Sequence, residues 1–597
     1  MSDANYKFLA PPPNPDKLSP RDAREVIGRN GYYGPTSGFC KGYNQTNIAI
    51  LPSKLANEFR EFCRQNSGPL PILYCSQPGE LGAPPLAGGS DIRSVVPRYI
   101  IFSKGRQVED CLDLCGFAWD DYVTFYLGCS FSFESALTDG GIGVRNMASG
   151  KNVSMYRTNV RCSPVGSFDC NMVVSMRPMP LDLVAKAVAI TAACPGAHGA
   201  PVHIGDPARL GVANISEPDF GDPTEIKEGE VPVFWACGVT AVEAIKSAKP
   251  ELAFTHYPGS MFISDIKLEL LSLPSQDDYP TVVPISKPCA PLFASVLTHR
   301  ACCKIRLLED AILDDPGGRG VPHLVQREDL LKACLTLSHA TSVAITTGFP
   351  CLVQYEQKQE TDGLPGALAI AQSLLAVGKK VTFISDTSTK TVFQSCVACM
   401  VANGALSSTV EVLSYPEVKE LYSHVRSPFD CLLAIERAGR GGDGRYHTMR
   451  GVDISEFCEP VDDLFVNAQC DPAVTTIGVG DGGNELGMGK ARPLVEKHIS
   501  HGQVIACAVS SDFLVCAGVS NWGGYAVAGG LCVVRNCPTH QSFLPTNDQT
   551  AELLRHMNTL GIRDGITHSL DQSVDGLPLQ THLHKLQQLR DIVIAQN

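Results

Sequence analysis

From about residue 300 onward, short apolar runs alternate with stretches of helical length and helical period. Residues 328–340 (EDLLKACLTLSHA) and 366–378 (GALAIAQSLLAVG) carry apolar residues at the three-to-four spacing of helices, the second ended by Gly378. Runs of four to seven mostly apolar residues at 342–347, 381–385, 410–414, 430–436, 474–479, 504–509 and 514–519 predict strands. Strands that alternate with helices pack as a mostly parallel, doubly wound α/β sheet, a Rossmann-like architecture. Before Asp265 the texture differs. Strands are short and bounded by Pro or Gly, as in 231–235 (VPVFW), which predicts an α+β unit of unspecified topology. The Pro-rich polar segment 272–291 reads as a linker. The expected division is a disordered segment over 1–19, a first domain over 20–266, a linker over 267–294 and a second domain over 295–597.

At 597 residues, with 44% hydrophobic and 19% charged, the chain has the composition of a globular protein with large cores. Its net charge of −13 argues against nucleic-acid binding through bulk positive charge. A small acidic substrate remains compatible, because a local Arg or a ring of backbone N–H groups can hold one anion. The 24 cysteines fall mostly in apolar runs, as at Cys334, Cys396, Cys399 and Cys507, where a thiol behaves as a small hydrophobe. Cys111-x3-Cys115 and Cys396-x2-Cys399 have no second pair nearby, so structural thiols are expected. No secretory h-region opens the chain, and a reducing compartment is expected. Residues 513–534 are uncharged and long enough to span a bilayer, yet Ser520, Asn521 and Gly523-Gly524 interrupt them. That pattern predicts strand, loop and buried helix, with no membrane insertion.

In an open parallel sheet, ligands bind beyond the carboxyl ends of the strands. There the sequence places Thr346, Thr347 and Gly348, then Glu436-Arg437 before a Gly-rich loop, then GDGGNELGMG (480–489), then Ser520-Asn521. Backbone N–H groups of Gly480, Gly482 and Gly483 are expected to cradle an anion beside Asp481, Asn484 and Glu485. Asp481, Asn484 and Glu485 are also able to ligate a hard cation. Gly478-x-Gly480-x-x-Gly483 formally matches a dinucleotide fingerprint, but no ribose-binding acid follows at the right distance, so no organic cofactor is expected. In ETDGLPGA (360–367), Asp362 is either a helix cap or a ligand group. In the first half, Glu134, His198, His203, Asp206, His256 and Asp265 sit in chemically dense motifs, although His198-x4-His203 is not a helical metal-ligand pair.

These motifs carry a resemblance. Residues 20–266 resemble a bacterial family of hydro-lyases through PTSGFCKGYNQTNIAILP (35–52), GCSFSFE (128–134), VVSMRP (173–178), PVHIGDP (201–207), EVPVFWACGVT (230–240) and HYPGSMFISD (256–265). Residues 295–597 resemble the C-terminal domain of the D-glutamate cyclase family through ITTGFP (345–350), ETDGLPGA, AIERAGR (434–440), GVGDGGNELGMGK (478–490) and GVSNWGGYA (518–526). Both halves in one chain are similar to the animal mitochondrial members of that family. The resemblance implies a lyase that turns D-glutamate into 5-oxo-D-proline and water, in the mitochondrial matrix. Residues 1–20 nevertheless hold Asp3 and Asp16 and no Arg, unlike a presequence, so the cytosol is the alternative.

Such a reaction needs a base for the amine, an acid for the departing oxygen, and donors for two carboxylates. The geometric expectation makes Glu436 or Asp481 the base and Glu485 the acid. Backbone N–H groups of Gly480, Gly482 and Gly483 stabilise the oxyanion, Arg437, Thr346 and Thr347 hold the carboxylates, and Asp362 holds the amine. Gly348, Asn484 and Asn521 complete the expected substrate shell. The alternative is a hydro-lyase site in the first half built on Glu134, His203, Asp206 and His256, or one half serving as a binding module.

Overall fold

The computed structural model describes residues 11–29, 31–272, 275–287, 290–422, 427–536 and 543–595. It divides into two compact units, one of residues 1–282 and 292–296 and the other of residues 283–291 and 297–597. The whole is mixed α/β, with three sheets.

The first unit holds two sheets. In one, the ten-residue strand Tyr43–Pro52 is central and pairs antiparallel with Tyr122–Gly128, Ala253–His256 and Phe262–Lys267. In the other, Asn171–Pro180 pairs antiparallel with Ser154–Arg161 and Glu230–Ala236. The expected linker is partly ordered in strand form, since Pro280–Pro284 is an edge strand of that second sheet. Its alternating Thr-Val-Val core outweighs the prolines, which sit where an edge strand tolerates them. Of the expected disordered segment, residues 1–10 lie outside the described residues and Pro15–Lys17 form one 3-10 turn.

The second unit is built on six parallel strands. Across the sheet they run Glu411–Ser414, Lys380–Ser385, Ser342–Gly348, Cys431–Arg437, Thr475–Gly480 and Phe513–Cys516. The chain therefore lays three strands in one direction from Ser342–Gly348, then returns and lays three in the other. The reversal falls between Ser342–Gly348 and Cys431–Arg437, where a doubly wound sheet opens a crevice. The central strands read as unbroken apolar runs such as CLLAI because both faces are covered. Leu432, Ala434 and Leu514 pack into one core with Val461, Leu464 and Phe465. On the opposite face Ile435 approaches Gly366 and Val479 approaches Gly523, which brings in helices Leu364–Ala376 and Ser520–Arg535.

Those two helices touch at glycines. A Cβ on Gly524 would lie 2.5 Å from Gly366 Cα, so neither helix can carry a side chain at the crossing. The run 504–509 is not a strand. Gly502–Ile505 form a short helix and the chain then loops past Gly439 and Gly483, with the amide of Cys507 donating to Gly483 O. Cys507 and Val509 supply the apolar residues that mimic a strand there, but they face the core beside Leu486 rather than a sixth ladder. Residues 513–534 resolve into strand, loop and helix as the polar interruptions indicate. Among the described residues no helix is long and apolar enough to cross a membrane, and every cysteine is a free thiol.

Candidate active site

Carboxylates gather at the carboxyl ends of the strands Ser342–Gly348, Cys431–Arg437 and Thr475–Gly480. Asp362 precedes helix Leu364–Ala376, Glu436 ends its strand, and Asp481 follows Thr475–Gly480. One oxygen of each lies within 4.8 Å of the others, and all three side chains are buried.

Glu436 reaches this position through a bulge. The register with the neighbouring strand passes from Thr347↔Ile435 directly to Gly348↔Arg437, leaving Glu436 as the extra residue. Its φ is +42°, a left-handed conformation that costs a non-glycine residue about 1–2 kcal/mol. Strain of this kind persists where the surroundings over-determine it and gathers at functional sites. Gly363 opposite has no side chain, and a Cβ there would meet Glu436 Cβ and Thr347 Oγ1 at 2.6 Å each.

Ser520 ties the three acids together. Its amide donates to Asp362 Oδ2 at 3.0 Å and Asp481 Oδ2 at 3.1 Å, and its hydroxyl donates to Glu436 Oε2 at 2.6 Å. Two helix N-termini cap each other around it. Asp362 Oδ1 accepts from Asn521 N at 2.9 Å, while Asn521 Oδ1 accepts from Gly363 N and Gly366 N at 3.0 and 2.8 Å. Arg319 donates to Asp481 Oδ1 at 2.5 Å and also to Asp575. Among the described residues, Arg319 is the only cation hydrogen-bonded to any of Glu360, Asp362, Glu436, Asp481, Glu485 and Asp575.

The excess of acid shows in the acidities. Burial, followed by repulsion from Asp481, holds Glu436 and Asp362 well above the usual carboxylate range. Burial pushes Glu360 up to about 8, Glu485 up to about 7 and Asp575 up to about 7, with Asp481 or Asp575 as the main repelling neighbour in each case. Groups displaced this far toward neutral pH, inside a crevice, are those suited to move protons.

The remaining expected residues divide. Thr346 and Thr347 lie near the end of their strand with buried hydroxyls that have no hydrogen-bond partner. Gly348 has φ +113°, and a Cβ there would meet Gln359 Oε1 at 2.7 Å. Asn484 is turned away, donating to His447 O at 2.8 Å. The N–H groups of Gly482 and Gly483 do cradle an anion, but it is the carboxylate of Glu485, at 2.6 and 2.7 Å, with Asp481 N adding a third bond at 3.1 Å. Gly480 contributes its carbonyl to Ala517 N. Arg437 faces the other side of the sheet, clamped by both oxygens of Asp386 at 2.5 and 2.7 Å and bonded to Glu459 O. A substrate carboxylate cannot use a guanidinium so held. Arg319, Glu360, Ser520 and Asp575 are the site residues that sequence reasoning missed. Glu360 and Ser520 lie in motifs it singled out, and the acid excess they belong to is visible only in three dimensions.

In the first unit, Glu134 pairs with Arg177 at 2.7 Å, both buried, and accepts from Ser37 Oγ at 2.6 Å and Asn146 Nδ2 at 3.2 Å. Glu134 also borders a cavity of about 300 Å3 with Phe39, Cys40, Phe131 and Ser132. His203 is held by Asp206 O at 2.8 Å, Asp206 caps Ala208 N, and His256 Nδ1 accepts from Ile48 N at 3.0 Å. Asp265 pairs with Arg24. Among the described residues, no two of Glu134, His203, Asp206 and His256 are bonded side chain to side chain. Burial lowers His198 and His256 to about 4, so both are neutral core histidines.

A bulged strand end that aims strained, acid-rich chemistry into a switch-point crevice defines an enzyme of the α/β type. Comparison with known proteins makes the class specific. A family model described as "D-glutamate cyclase-like, C-terminal" matches residues 308–590, and one described as "D-glutamate cyclase" matches 123–265. "D-glutamate cyclase, mitochondrial" of Homo sapiens is 38% identical over 595 residues, spanning 94% of this chain and 95% of that protein. Bacterial proteins of the first unit's length also match. A "Putative hydro-lyase" of Stutzerimonas stutzeri is 48% identical over 256 residues, 43% of this chain and 97% of its own, and one of Bacillus subtilis is 44% identical over 256 residues and 100% of its own length. The chain belongs to the D-glutamate cyclase family.

Proposed function

We propose that this protein converts D-glutamate to 5-oxo-D-proline and water at the carboxylate cluster of the second unit. The observation that carries the reading is the convergence of Asp362, Glu436 and Asp481 within 4.8 Å at the point where the strand order reverses. The order itself supports a Rossmann-like, doubly wound sheet for residues 295–597, with 20–266 as the hydro-lyase-like domain. No organic cofactor and no nucleic acid enter the reading.

In the reaction the α-nitrogen forms a bond to the carbon of the γ-carboxyl group, and one oxygen of that carboxyl leaves as water carrying the two protons that the ammonium gives up. Glu436 or Asp481 takes a proton from the amine. Burial, followed by repulsion from Asp481, makes Glu436 a strong base once ionised. Glu485, poised near neutrality, returns a proton toward the leaving oxygen. Asp362 meets the ammonium, and the unpartnered hydroxyl of Thr347 donates to a substrate carboxylate, while Thr346, which pairs with Ala434, faces the other side of the sheet. Arg319, bonded to Asp481 and Asp575, offsets part of the cluster's negative charge. Gly482 and Gly483 act by fixing Glu485, and Asn521 by capping the helix behind Asp362. Holding amine and carboxyl together in the ring-closing geometry supplies about 7–11 kcal/mol at best. The mitochondrial name of the human relative supports a matrix location.

Chiral mass spectrometry of 5-oxoproline from D- or L-glutamate tests the reading. Product from D-glutamate is expected, and Glu436→Gln is expected to slow it at least tenfold, within the ~10²–10⁴ range of general acid–base groups, in a chain that stays folded. Full-rate Glu436→Gln would rule out its catalytic role and leave Asp481 as the base; full rate in both Glu436→Gln and Asp481→Asn would move the chemistry elsewhere. The place it would move to is the first unit, where Glu134 borders its cavity and where bacterial relatives consist of that unit alone.

A further inference from the structure

The second unit poses an electrostatic problem that its own side chains do not solve. Glu360, Asp362, Glu436, Asp481, Glu485 and Asp575 are six carboxyls around one crevice, and Arg319 is the single cation bonded to them among the described residues. A substrate that brings two more carboxylates meets net repulsion there. Either most of the acids hold protons, which removes the bases the reaction needs, or another positive charge enters with the substrate.

We propose that Asp362, Glu436 and Asp481 bind a hard divalent cation. It rests on the functional reading above for its purpose, which is to draw in the substrate's carboxylates, but not for its geometry. Oxygens of a Ca2+ shell lie about 3.3 Å apart when adjacent and up to about 5 Å when opposite, and those of Mg2+ about 3 and 4 Å. Three carboxylate oxygens already within 4.8 Å of one another therefore fit with little or no movement. They come from three separate segments, so each keeps its position without the others' help. Lone pairs remain free: Glu436 accepts one bond, from the Ser520 hydroxyl, and Ser520 N is shared between Asp362 and Asp481. A second observation points to the same gap. Thr347 is fully buried, its hydroxyl has no partner, and it stands 2.6 Å from the point on Gly363 that Glu436 Cβ also approaches to 2.6 Å. A buried, unpartnered hydroxyl beside Gly363 and the Glu436 side chain is a ready neutral oxygen ligand, or a partner for a metal-bound water.

The test is Mn2+ binding to the full chain after chelator treatment, followed by electron paramagnetic resonance. One Mn2+ per chain is expected. Glu436→Gln and Asp481→Asn should each weaken it at least tenfold. Thr347→Val, which keeps shape and burial, should weaken it by a smaller factor while melting normally, so a folding defect cannot account for the trend. Absence of saturable Mn2+ binding, or binding indifferent to all three substitutions, overturns the site. A chain that binds Mn2+ but makes no 5-oxoproline keeps the site and sinks the functional reading. One that turns over fully in chelator and binds no Mn2+ does the reverse.

Discussion

In the first unit, Glu134 and Arg177 face each other at 2.7 Å, Arg24 is matched by Asp265, and the buried His198 and His256 are neutral rings bonded to backbone. In the second, the cluster at the strand ends sets six carboxyls against one Arg319 among the described residues. Burial of charge is costly in both places; the second unit offsets it at Arg437–Asp386 but leaves it largely unmatched at the six-carboxyl cluster. Matched pairs are what a fold selected for stability contains. Unmatched like charges persist where the fold is selected for something it does to a ligand.

The sharpest way to break this contrast is acid. His198 and His256 have acidities lowered from 6.5 to about 4, so the unfolded chain binds protons that the fold refuses. Their contribution is complete above about pH 6.5 and drains away as pH falls toward 4, about 3 kcal/mol for each ring. Glu485 and Glu360, raised to about 7 and 8, carry the opposite sign. The fold binds their protons more tightly than the unfolded chain, so in chelator-treated protein the second unit gains stability as pH drops through 8 to about 4.5. Hydrogen exchange at pH 7.5 and 5 should show the strand Ala253–His256 opening more readily and Thr475–Gly480 less readily. The same direction in both units would dissolve the comparison.

Substitution of one carboxylate by its amide gives the next test. Glu134→Gln strands the buried Arg177 charge and should cost about 3–5 kcal/mol in urea unfolding. Gly524→Ala, a test of packing rather than charge, places a methyl 2.5 Å from Gly366 Cα and should cost about 1–3 kcal/mol. Glu436→Gln should do the reverse of Glu134→Gln. Removing one of several like charges should raise stability by about 1 kcal/mol while turnover falls. A matching loss of stability at both positions would show that the second unit's acids are structural.

The sequence made some of this legible and hid the rest for physical reasons. The parallel sheet could be read because strands buried on both faces leave unbroken apolar runs, and five of the six lie within a residue or so of their expected bounds. The run 504–509 misled because residues lining a core in a loop have the same composition as a strand. At Glu436-Arg437, period-two alternation already says that neighbours on a strand face opposite ways, so the two could not both serve one crevice. The Gly-rich loop was expected to cradle a substrate anion with Asp481 and Glu485 beside it, whereas its amides hold Glu485 itself. That the anion is Glu485 depends on a side chain folding back on its own loop. Arg319 and Asp575 are more than 250 residues apart, and nothing local to either indicates the other.

Ser520 has a consequence for how this chain tolerates change. Two of its three bonds to the acids leave from the backbone amide, which every amino acid except proline possesses. Replacement by Ala or Gly therefore frees only Glu436 and should be mild. Proline is welcome in the first turn of a helix, and Val519, at φ −146° and ψ 130°, is already in the conformation that a following proline requires. Among inherited or engineered variants at this codon, then, proline should stand apart as a null allele, because its ring carbon replaces the amide hydrogen that joins Asp362 to Asp481 and pushes both carboxylates away.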